Sequence, residues 1–348
     1  MSFPVLKESN TIDAGSKITK PTTLCFMTNQ SAFTQILFVI ILLSGTVSFS
    51  QDSPAIKPAI DVSVTKTNDE NLETRKIYKR KGTLYYYWGY NRAFYTHSDM
   101  NFRGTGYNFT ITDLAATDDA GYRPGIYFNP LLFTIPQYNQ RFGYFFSDKN
   151  FITVGQDHMK YVLNRQTSHL TGSISDGVNA GSYDNTDVLV AENSQRGSVL
   201  AKSAYLLPHG FVTEFEHCDG LNDVSAEIGH LEQLWISKNA RYALSALGSV
   251  GAGAVIPDTD ADVLGQAPKH DMSANKKAFH LAGYSFSGSA GVQFDVCNHF
   301  FIQGKVKAGY MNLPDINTTV EGGKASQQLM FVEPMMVVGY YHLIGKHK

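Results

Sequence analysis

The densest run of ionisable side chains extends from Glu214 to Asp223 and is closely followed by Glu227, His230 and Glu232. Carboxylates and imidazoles are the groups that bind metals or transfer protons. Glu227 and His230 have the Glu-x-x-His spacing of a metal motif, whose ligands converge on a helix. On a strand, as expected here, residues three apart face opposite sides, so the match predicts no metal site.

The elements that must position these side chains are best seen in a hairpin between Phe279 and Tyr310, where apolar and polar residues alternate. The apolar set is Ala282, Tyr284, Phe286, Ala290, Val292 and Phe294, then Phe300, Ile302, Val306, Ala308 and Tyr310. A period of two gives the sheet one apolar wall and one polar wall. Each strand exceeds the ~5–6 residues usual in soluble folds and suits the ~9–11 residues that span a bilayer.

Composition supports a membrane barrel. Charged residues are 17% of the chain, below the ~25% typical of soluble domains, whereas aromatic residues reach 12% and glycines number 30. A mean hydropathy of -0.18 argues against a bundle of membrane helices. These values fit a transmembrane β-barrel, whose strands turn half of their residues to a polar interior. The net charge of -2 gives no reason to expect nucleic acid as a partner.

Eight segments have the length and alternation of spanning strands. We predict strands at Thr83–Tyr95, Phe133–Phe146, Phe151–Leu163, Leu221–Trp235, Arg241–Val255, Phe279–Val296, Phe300–Met311 and Leu329–Leu343. Short turns alternate with long links, which is the layout of an outer-membrane barrel with both termini in the periplasm. Cys218 and Cys297 would lie about a membrane thickness apart, so both should be free thiols.

Aromatic residues cluster near the predicted short turns, at Tyr85–Trp88, Tyr144–Phe146, Trp235, Phe300–Phe301 and Tyr340–Tyr341. Tyrosine and tryptophan favour the headgroup region, so these clusters predict an interfacial belt. The alternative is that they fill the core.

With the apolar wall turned to lipid, the polar wall predicts the contents of the lumen. The predicted lumen network comprises Arg92, Arg141, Asp223, Glu227, Gln293, Gln303, Lys305, Lys307 and Glu333. Arg92 is assigned to the inside because a charge facing lipid at mid-depth costs ~2–4 kcal/mol. The third strand is ambiguous, since Asp157 lies on one face and His158 and Lys160 on the other. Pro334 predicts a bulge or a broken ladder in the last strand.

Eight strands enclose a space that side chains can fill, so we prefer a salt-bridged interior over a narrow pore or a reactive site. Glu216, His217 and Asp219 could bind a divalent cation that bridges lipopolysaccharide phosphates, but a solvated rim is the preferred interpretation. Some small barrels are lipid-modifying enzymes that pair a histidine with a serine. The candidates here would be His158, His169 with Ser168, and His217. None has a recognisable orienting partner, and we expect no catalytic residue, cofactor or resident metal.

The N-terminal region contains one apolar run, Ile36–Leu43, which has the length of a signal-peptide core. Cleavage before Gln51 is predicted, and translation is expected to start at Met27; an uncleaved anchor is the alternative. The basic run Arg75–Lys81 could contact anionic lipid, although a solvated linker is preferred. The predicted organisation is an N-terminal extension and signal peptide at 1–50, a disordered periplasmic leader at 51–82 and the barrel at 83–348.

Several segments carry a family resemblance: Tyr87–Tyr95, Gly104–Tyr107, Tyr127–Pro130, Ile135–Asn139, Gly155–Tyr161, His217–Asn222, Leu244–Gly248, Phe279–Gly283 and Asn312–Asp315. From about Thr83 onward the chain resembles an uncharacterised class of Bacteroidota outer-membrane β-barrel proteins. The resemblance implies a small barrel similar to the OmpA, OmpX and OmpW types, and it implies no activity. Such barrels often finish on an aromatic residue, whereas here Leu343–Lys348 follows Tyr340 and Tyr341.

The sequence therefore predicts an all-β, eight-stranded antiparallel transmembrane barrel in a Gram-negative outer membrane, with long extracellular loops and short periplasmic turns. The predicted role is structural or surface-interacting and not enzymatic. The expected partners are outer-membrane lipid and lipopolysaccharide, together with an extracellular ligand bound through the loops. The alternatives are a narrow channel or transporter for small solutes and a lipid A-modifying enzyme.

Overall fold

The computed structural model describes residues 78–119, 125–129, 132–191, 210–266, 279–297 and 299–343. The predicted signal peptide, most of the predicted leader and the side chain of Cys218 lie outside this part of the chain. The elements are β1 (Thr83–Asn91), β2 (Phe94–Tyr95), β3 (Ser98–Gly104), β4 (Tyr107–Leu114), β5 (Ala116–Thr117), α1 (Gly125–Phe128), β6 (Tyr138–Phe145), β7 (Asn150–Leu163), β8 (Gln166–Ile174), β9 (Gly181–Val190), β10 (Val212–Ile236), β11 (Tyr242–Pro257), β12 (Asp260–Val263), β13 (Gly283–Val296), β14 (Phe300–Asn317) and β15 (Lys324–Leu343).

Eight of these strands close into a ring, in the order β1, β6, β7, β10, β11, β13, β14 and β15. The last strand pairs back with the first, from Thr83 opposite Leu343 to Asn91 opposite Met335. Every neighbouring pair in the ring is antiparallel. The predicted eight-stranded antiparallel barrel is confirmed. No helix in the described ranges is long and apolar enough to cross a membrane.

The outer wall is an apolar band because each strand alternates. On β15, for example, Val332, Met336 and Val338 are exposed, whereas Glu333 and Val337 between them are buried. The same band includes Phe142, Tyr144, Ile152, Val154, Val224, Ile228, Val250, Phe286, Val292, Ile302, Val306 and Met330. Large apolar side chains exposed all round a closed sheet are stable only against lipid. This band is therefore the transmembrane surface.

Short turns lie at one end of the barrel and longer connections at the other. Short turns connect β6 to β7, β10 to β11 and β13 to β14, and we call their side the turn end. The opposite side, the loop end, holds the connections between β1 and β6, β7 and β10, and β11 and β13. The β14–β15 link, at 318–323, is shorter than predicted because both strands continue beyond the expected boundary.

The loop end is folded into a β-structure that we call the cap. β15 continues beyond the ring and pairs with β3, which is followed in order by β4, β8 and β9, while β12 pairs with the upper part of β10. β10 therefore reaches 25 residues, far more than the ~9–11 that a spanning strand needs. Its register shifts between His217 and Leu221, where Gly220 adopts a φ of 125°. This irregularity marks the passage from barrel wall to cap.

The cap has a hydrophobic core of its own. Side chains from the barrel strands and from the cap hairpins meet in it, among them Met100, Phe102, Phe109, Tyr161, Leu170, Phe215, Leu313 and Phe331. Their burial against each other explains why the long connections are regular strands and not irregular loops. The cap core covers the loop end of the lumen.

The aromatic clusters near the turns divide between the two faces of the wall. Tyr86, Trp88, Tyr144, Trp235, Phe300 and Tyr340 face outward, in agreement with an interfacial belt. Their neighbours do not: Tyr85, Tyr87, Phe145, Phe301 and Tyr341 are buried and pack together with Phe151, Leu231, Leu247 and Val337. Adjacent residues on a strand point to opposite sides, so a run of aromatic residues necessarily feeds both the belt and the lumen. The inner set forms an aromatic layer near the turn end.

Candidate functional site

The middle of the lumen holds a charged layer centred on Arg141 of β6. Its Nη2 lies 2.6 Å from Oδ2 of Asp157 and 3.1 Å from Oε1 of Glu227. The same nitrogen donates to Oγ of Ser225 at 2.8 Å. The Arg141 side chain has no solvent exposure. A guanidinium is suited to this place because its planar fork satisfies several acceptors at once.

Two lysines of β14 complete the charged layer. Lys307 Nζ lies 2.5 Å from Asp157, 3.1 Å from Asp223 and 3.7 Å from Glu227. Lys305 Nζ donates to the hydroxyl of Tyr87 at 2.9 Å and lies 3.6 Å from Glu227. Since lone buried charges are strongly unfavourable, these mutual contacts are what allows charges inside the barrel.

The ambiguity of the third predicted strand is resolved by the cap. Asp157 faces the lumen, yet His158 and Lys160 on the other face of β7 are buried as well. On this outer face Tyr138 stacks on His158, and Oδ2 of Asp119 lies 3.9 Å from Nζ of Lys160. The outer face of β7 is therefore covered by protein at this height, and both faces of the strand can carry polar groups away from lipid.

A cluster of polar side chains adjoins the aromatic layer and shares Tyr341 with it. Gln303 donates to Gln293 at 2.6 Å, and Gln293 donates to Asp295 at 2.7 Å. Tyr341 also donates to Asp295, at 2.8 Å. The cation that neutralises this carboxylate is Arg80, whose Nη2 lies 2.6 Å from Asp295 Oδ2.

Arg80 belongs to a segment that the sequence assigns to the leader. Arg80 and Tyr78 are nevertheless buried, and the Tyr78 amide donates to Gln233. The Arg80 and Lys81 amides both donate to Asp148 in the β6–β7 turn. The end of the predicted leader thus occupies the mouth of the lumen instead of hanging free, because the lumen supplies a carboxylate for its arginine.

Eight of the nine predicted network residues are buried within the barrel: Arg141, Asp223, Glu227, Gln293, Gln303, Lys305, Lys307 and Glu333. Arg92 is not among them, and its predicted lumen position is wrong. β1 ends at Asn91, which takes the inward position and donates to Glu333. Arg92 points outward with a 51% exposed side chain, where both oxygens of Asp118 neutralise it at 2.6 and 2.9 Å.

The sequence analysis missed Arg80, Tyr87 and Asn91 as members of this network. Tyr87 carried a signal, since it alternates with Tyr86 and Trp88 within one strand. Asn91 lies four residues after Tyr87 on the same strand and therefore faces the same side. No sequence signal identified Arg80, because it precedes the first strand and its partner Asp295 lies 215 positions later in the chain.

The histidines considered for catalysis lie apart from one another. His217 is buried in the cap, with Nδ1 3.0 Å from the Thr259 hydroxyl, and burial lowers its pKa to about 3. His158 Nδ1 contacts Asn222 at 2.8 Å. His169 lies 2.8 Å from Asp187 on the surface, whereas Ser168 beside it faces inward. The partners of these histidines among the described residues include Asn222, Thr259 and Asp187.

Acidic side chains face each other where β10 and β12 pair. Glu214 lies opposite Asp262, and Glu216 lies opposite Asp260. Partial burial, reinforced by repulsion from these three carboxylates, raises the pKa of Glu214 to about 7. Asp219, the remaining member of the predicted rim grouping, has a side chain outside the described part. Within the described residues, no group of three or more His, Cys, Asp or Glu side chains is arranged to hold a metal ion.

The chain was compared with known proteins. No family model matches it, and no curated protein sequence does. Among solved structures it is similar to the outer membrane protein OprG from Pseudomonas aeruginosa, with 10% identity over 76% of this chain and 98% of that one, at a TM-score of 0.34. It is also similar to Ail of Yersinia pestis, with 13% identity over 76% of this chain and 100% of that one, at a TM-score of 0.28. A third similar structure is the outer membrane protein AlkL, with 10% identity over 80% of this chain and 99% of that one, at a TM-score of 0.33.

These identities and TM-scores are too low to support any conclusion about role. The class of the protein, a small transmembrane β-barrel, is established by its own closed ring of strand pairs and its apolar band. The Bacteroidota resemblance stays a prediction.

Removing the central arginine should cost much more than breaking an exposed ion pair of the same length. Arg141→Leu leaves the buried carboxylates of Asp157 and Glu227 with the two lysines as their cationic partners among the described residues, and we expect the free energy of unfolding to fall by about 3–5 kcal/mol. Lys149→Leu breaks the ion pair with Glu232, which is also 2.6 Å long but whose side chains are about half exposed. The free energy of unfolding should then fall by at most about 1 kcal/mol. Urea unfolding in detergent micelles measures both, and equal losses would contradict a buried charge network.

The carboxyl of Glu214 should make stability depend on pH. Its pKa of about 7 lies above the ~4.3 of an unfolded glutamate, so the folded state holds its proton more tightly. The resulting stabilisation is present at low pH and is lost as the pH rises through about 7. Glu214→Gln should therefore reduce the fall in unfolding midpoint between about pH 5 and about pH 8. Glu321→Gln, in the exposed β14–β15 link, is the control and should keep the wild-type fall.

Proposed function

We propose that this protein is an outer-membrane barrel with a closed lumen, both termini on the periplasmic side and a structural or surface-interaction role carried by the cap. The observation that carries the proposal is the filling of the lumen. Three successive layers of side chains occupy it, namely the aromatic layer, the charged layer and the cap core. Outer-membrane location rests on the barrel itself, since closed barrels with short turns and long connections are characteristic of that membrane.

Each of the three layers contains side chains without solvent exposure. Phe301 in the aromatic layer, Asp157 and Lys307 in the charged layer, and Phe102 in the cap core are all 0% exposed. An aqueous path along the barrel axis would have to displace all three sets, including ion pairs that are stable only together. This arrangement favours the closed barrel over the alternative of a narrow channel.

The cap presents a rigid surface for contacts outside the membrane. Its β3–β4 and β8–β9 hairpins expose five aspartates and one arginine: Asp99, Asp113, Asp176, Asp184, Asp187 and Arg103. Such a surface repels phosphate groups and attracts cations. A partner of the hairpins is accordingly expected to be basic, or to be lipopolysaccharide bridged by divalent cations.

Single-channel recording tests whether the lumen is closed. Purified protein is reconstituted into planar bilayers in concentrated KCl, with a general porin in the same bilayer system as the positive control. We expect no unit conductance steps, because the layers leave no continuous aqueous path. Reproducible steps from protein with the heat-dependent gel migration of a folded barrel would overturn the closed lumen and support a channel.

Thiol labelling on intact cells tests the orientation. Cys297 is a free, exposed cysteine in the β13–β14 turn, and Val178 is 69% exposed in the β8–β9 hairpin. In both variants Cys25 and Cys218 are replaced by serine. One variant keeps Cys297 as its single cysteine. In the other, Cys297 is also replaced by serine and Val178→Cys supplies the single cysteine. A membrane-impermeant maleimide should label the Val178 variant directly and Cys297 only after the outer membrane is permeabilised. The reverse order would place the cap in the periplasm.

A further inference from the structure

Several buried oxygen atoms have no hydrogen-bond partner among the described residues, and four of them belong to lumen residues on adjacent strands. These four are Oδ1 of Asp157, Oδ1 of Asn139, Oδ1 of Asn91 and Oε2 of Glu333. The exposed fraction of Asn91 is 5%, and that of the other three is zero. The amide of Asn91 is oriented by its nitrogen, which donates to Glu333 and to the Tyr138 carbonyl, so its oxygen is the atom left over. Buried polar atoms of folded proteins are rarely without a partner.

These four residues lie on four adjacent strands and face the same interior. Asp157 of β7 lies directly opposite Asn139 of β6. Asn139 lies opposite Gly89 of β1, two residues before Asn91. Asn91 in turn lies opposite Met335 of β15, two residues after Glu333. Opposite and diagonal neighbours on a sheet are close enough for their side chains to meet. The four residues therefore form one continuous arc along the inner wall.

Within the described part of the chain, the charged layer that contains this arc holds one carboxylate more than it holds cations. Its three cationic groups are Arg141, Lys305 and Lys307, and its four carboxylates are Asp157, Asp223, Glu227 and Glu333. Glu333 makes no ion pair within 4 Å among the described residues. Lys307 lies opposite it in the ladder but directs its ammonium to Asp157 and Asp223. A lone buried carboxylate is strongly unfavourable unless a positive charge compensates it.

We propose that the arc binds one monovalent metal cation, of which Na⁺ is the representative. Carboxylate and amide oxygens are the ligands that hard cations prefer. A single positive charge balances the layer, whereas a divalent ion would reverse the imbalance beside Lys307. A water molecule bound in the arc could donate hydrogen bonds to these oxygens, but it would leave the charge of Glu333 uncompensated. The site is independent of the proposed surface role.

The experiment is equilibrium urea unfolding and refolding in detergent, in NaCl or in choline chloride at equal ionic strength. Choline is too large to enter the arc and serves as the inert cation. Refolding from urea lets the ion bind as the lumen closes. We expect a higher midpoint in NaCl, with a tenfold rise in Na⁺ above its dissociation constant multiplying the folding equilibrium constant by about ten. Equal midpoints in the two salts would overturn the proposal and leave the charge of Glu333 to a proton.

Two variants separate this site from general salt effects. Glu333→Gln removes the excess charge and should abolish the difference between the two salts. Glu232→Gln removes an exposed carboxylate at the turn end and should keep the difference. A difference that survives in Glu333→Gln would overturn the proposal. Should Glu333→Gln fail to refold, wild-type crystals grown with Rb⁺ decide the matter: an anomalous peak bounded by Asn91, Asn139 and Glu333 supports the site, and its absence there overturns it.

Discussion

The mutual neutralisation of buried charges around Arg141 is the interaction on which the rest of the structure depends. A ring of eight strands is so narrow that side chains must fill it. Beyond the aromatic layer the inward side chains are polar or charged, and polar groups without water are stable only when they are paired. Arg141, Asp157, Glu227 and Lys307 come from four different strands, so their pairing also fixes the register of those strands relative to one another.

The cap follows from a second constraint, which acts beyond the membrane. Once a strand leaves lipid, its outer face needs no apolar residues, and its inner face no longer has to be polar. The inward residues of the strands change there from charged to apolar. On β15, Glu333 belongs to the charged layer, whereas Phe331 and Leu329 belong to the cap core. Along one continuous sheet, the interior thus changes from the charged layer of the barrel to the apolar core of the cap.

Alternation along the strands was enough to predict the ring of eight strands and most of the lumen set, because a period of two assigns each residue to one wall. It could not predict which protein segment covers a wall. His158 and Lys160 are buried on the outer face of β7, where Tyr138 stacks on His158 and Asp119, from the connection between β1 and β6, lies beside Lys160. Arg92 was misassigned for a related reason: its partner Asp118 lies outside the barrel strands. Such long-range pairings leave no local pattern in the sequence.

The ion pair between Arg80 and Asp295 joins the segment before the first barrel strand to the last strands of the barrel. The arginine precedes the first barrel strand, its carboxylate lies on β13, and Tyr341, which holds that carboxylate, lies on the last strand. The pocket for the arginine therefore does not exist until the C-terminal strands have been added and the ring has closed. The segment before β1 can therefore make these contacts only in a chain whose last strands are in place.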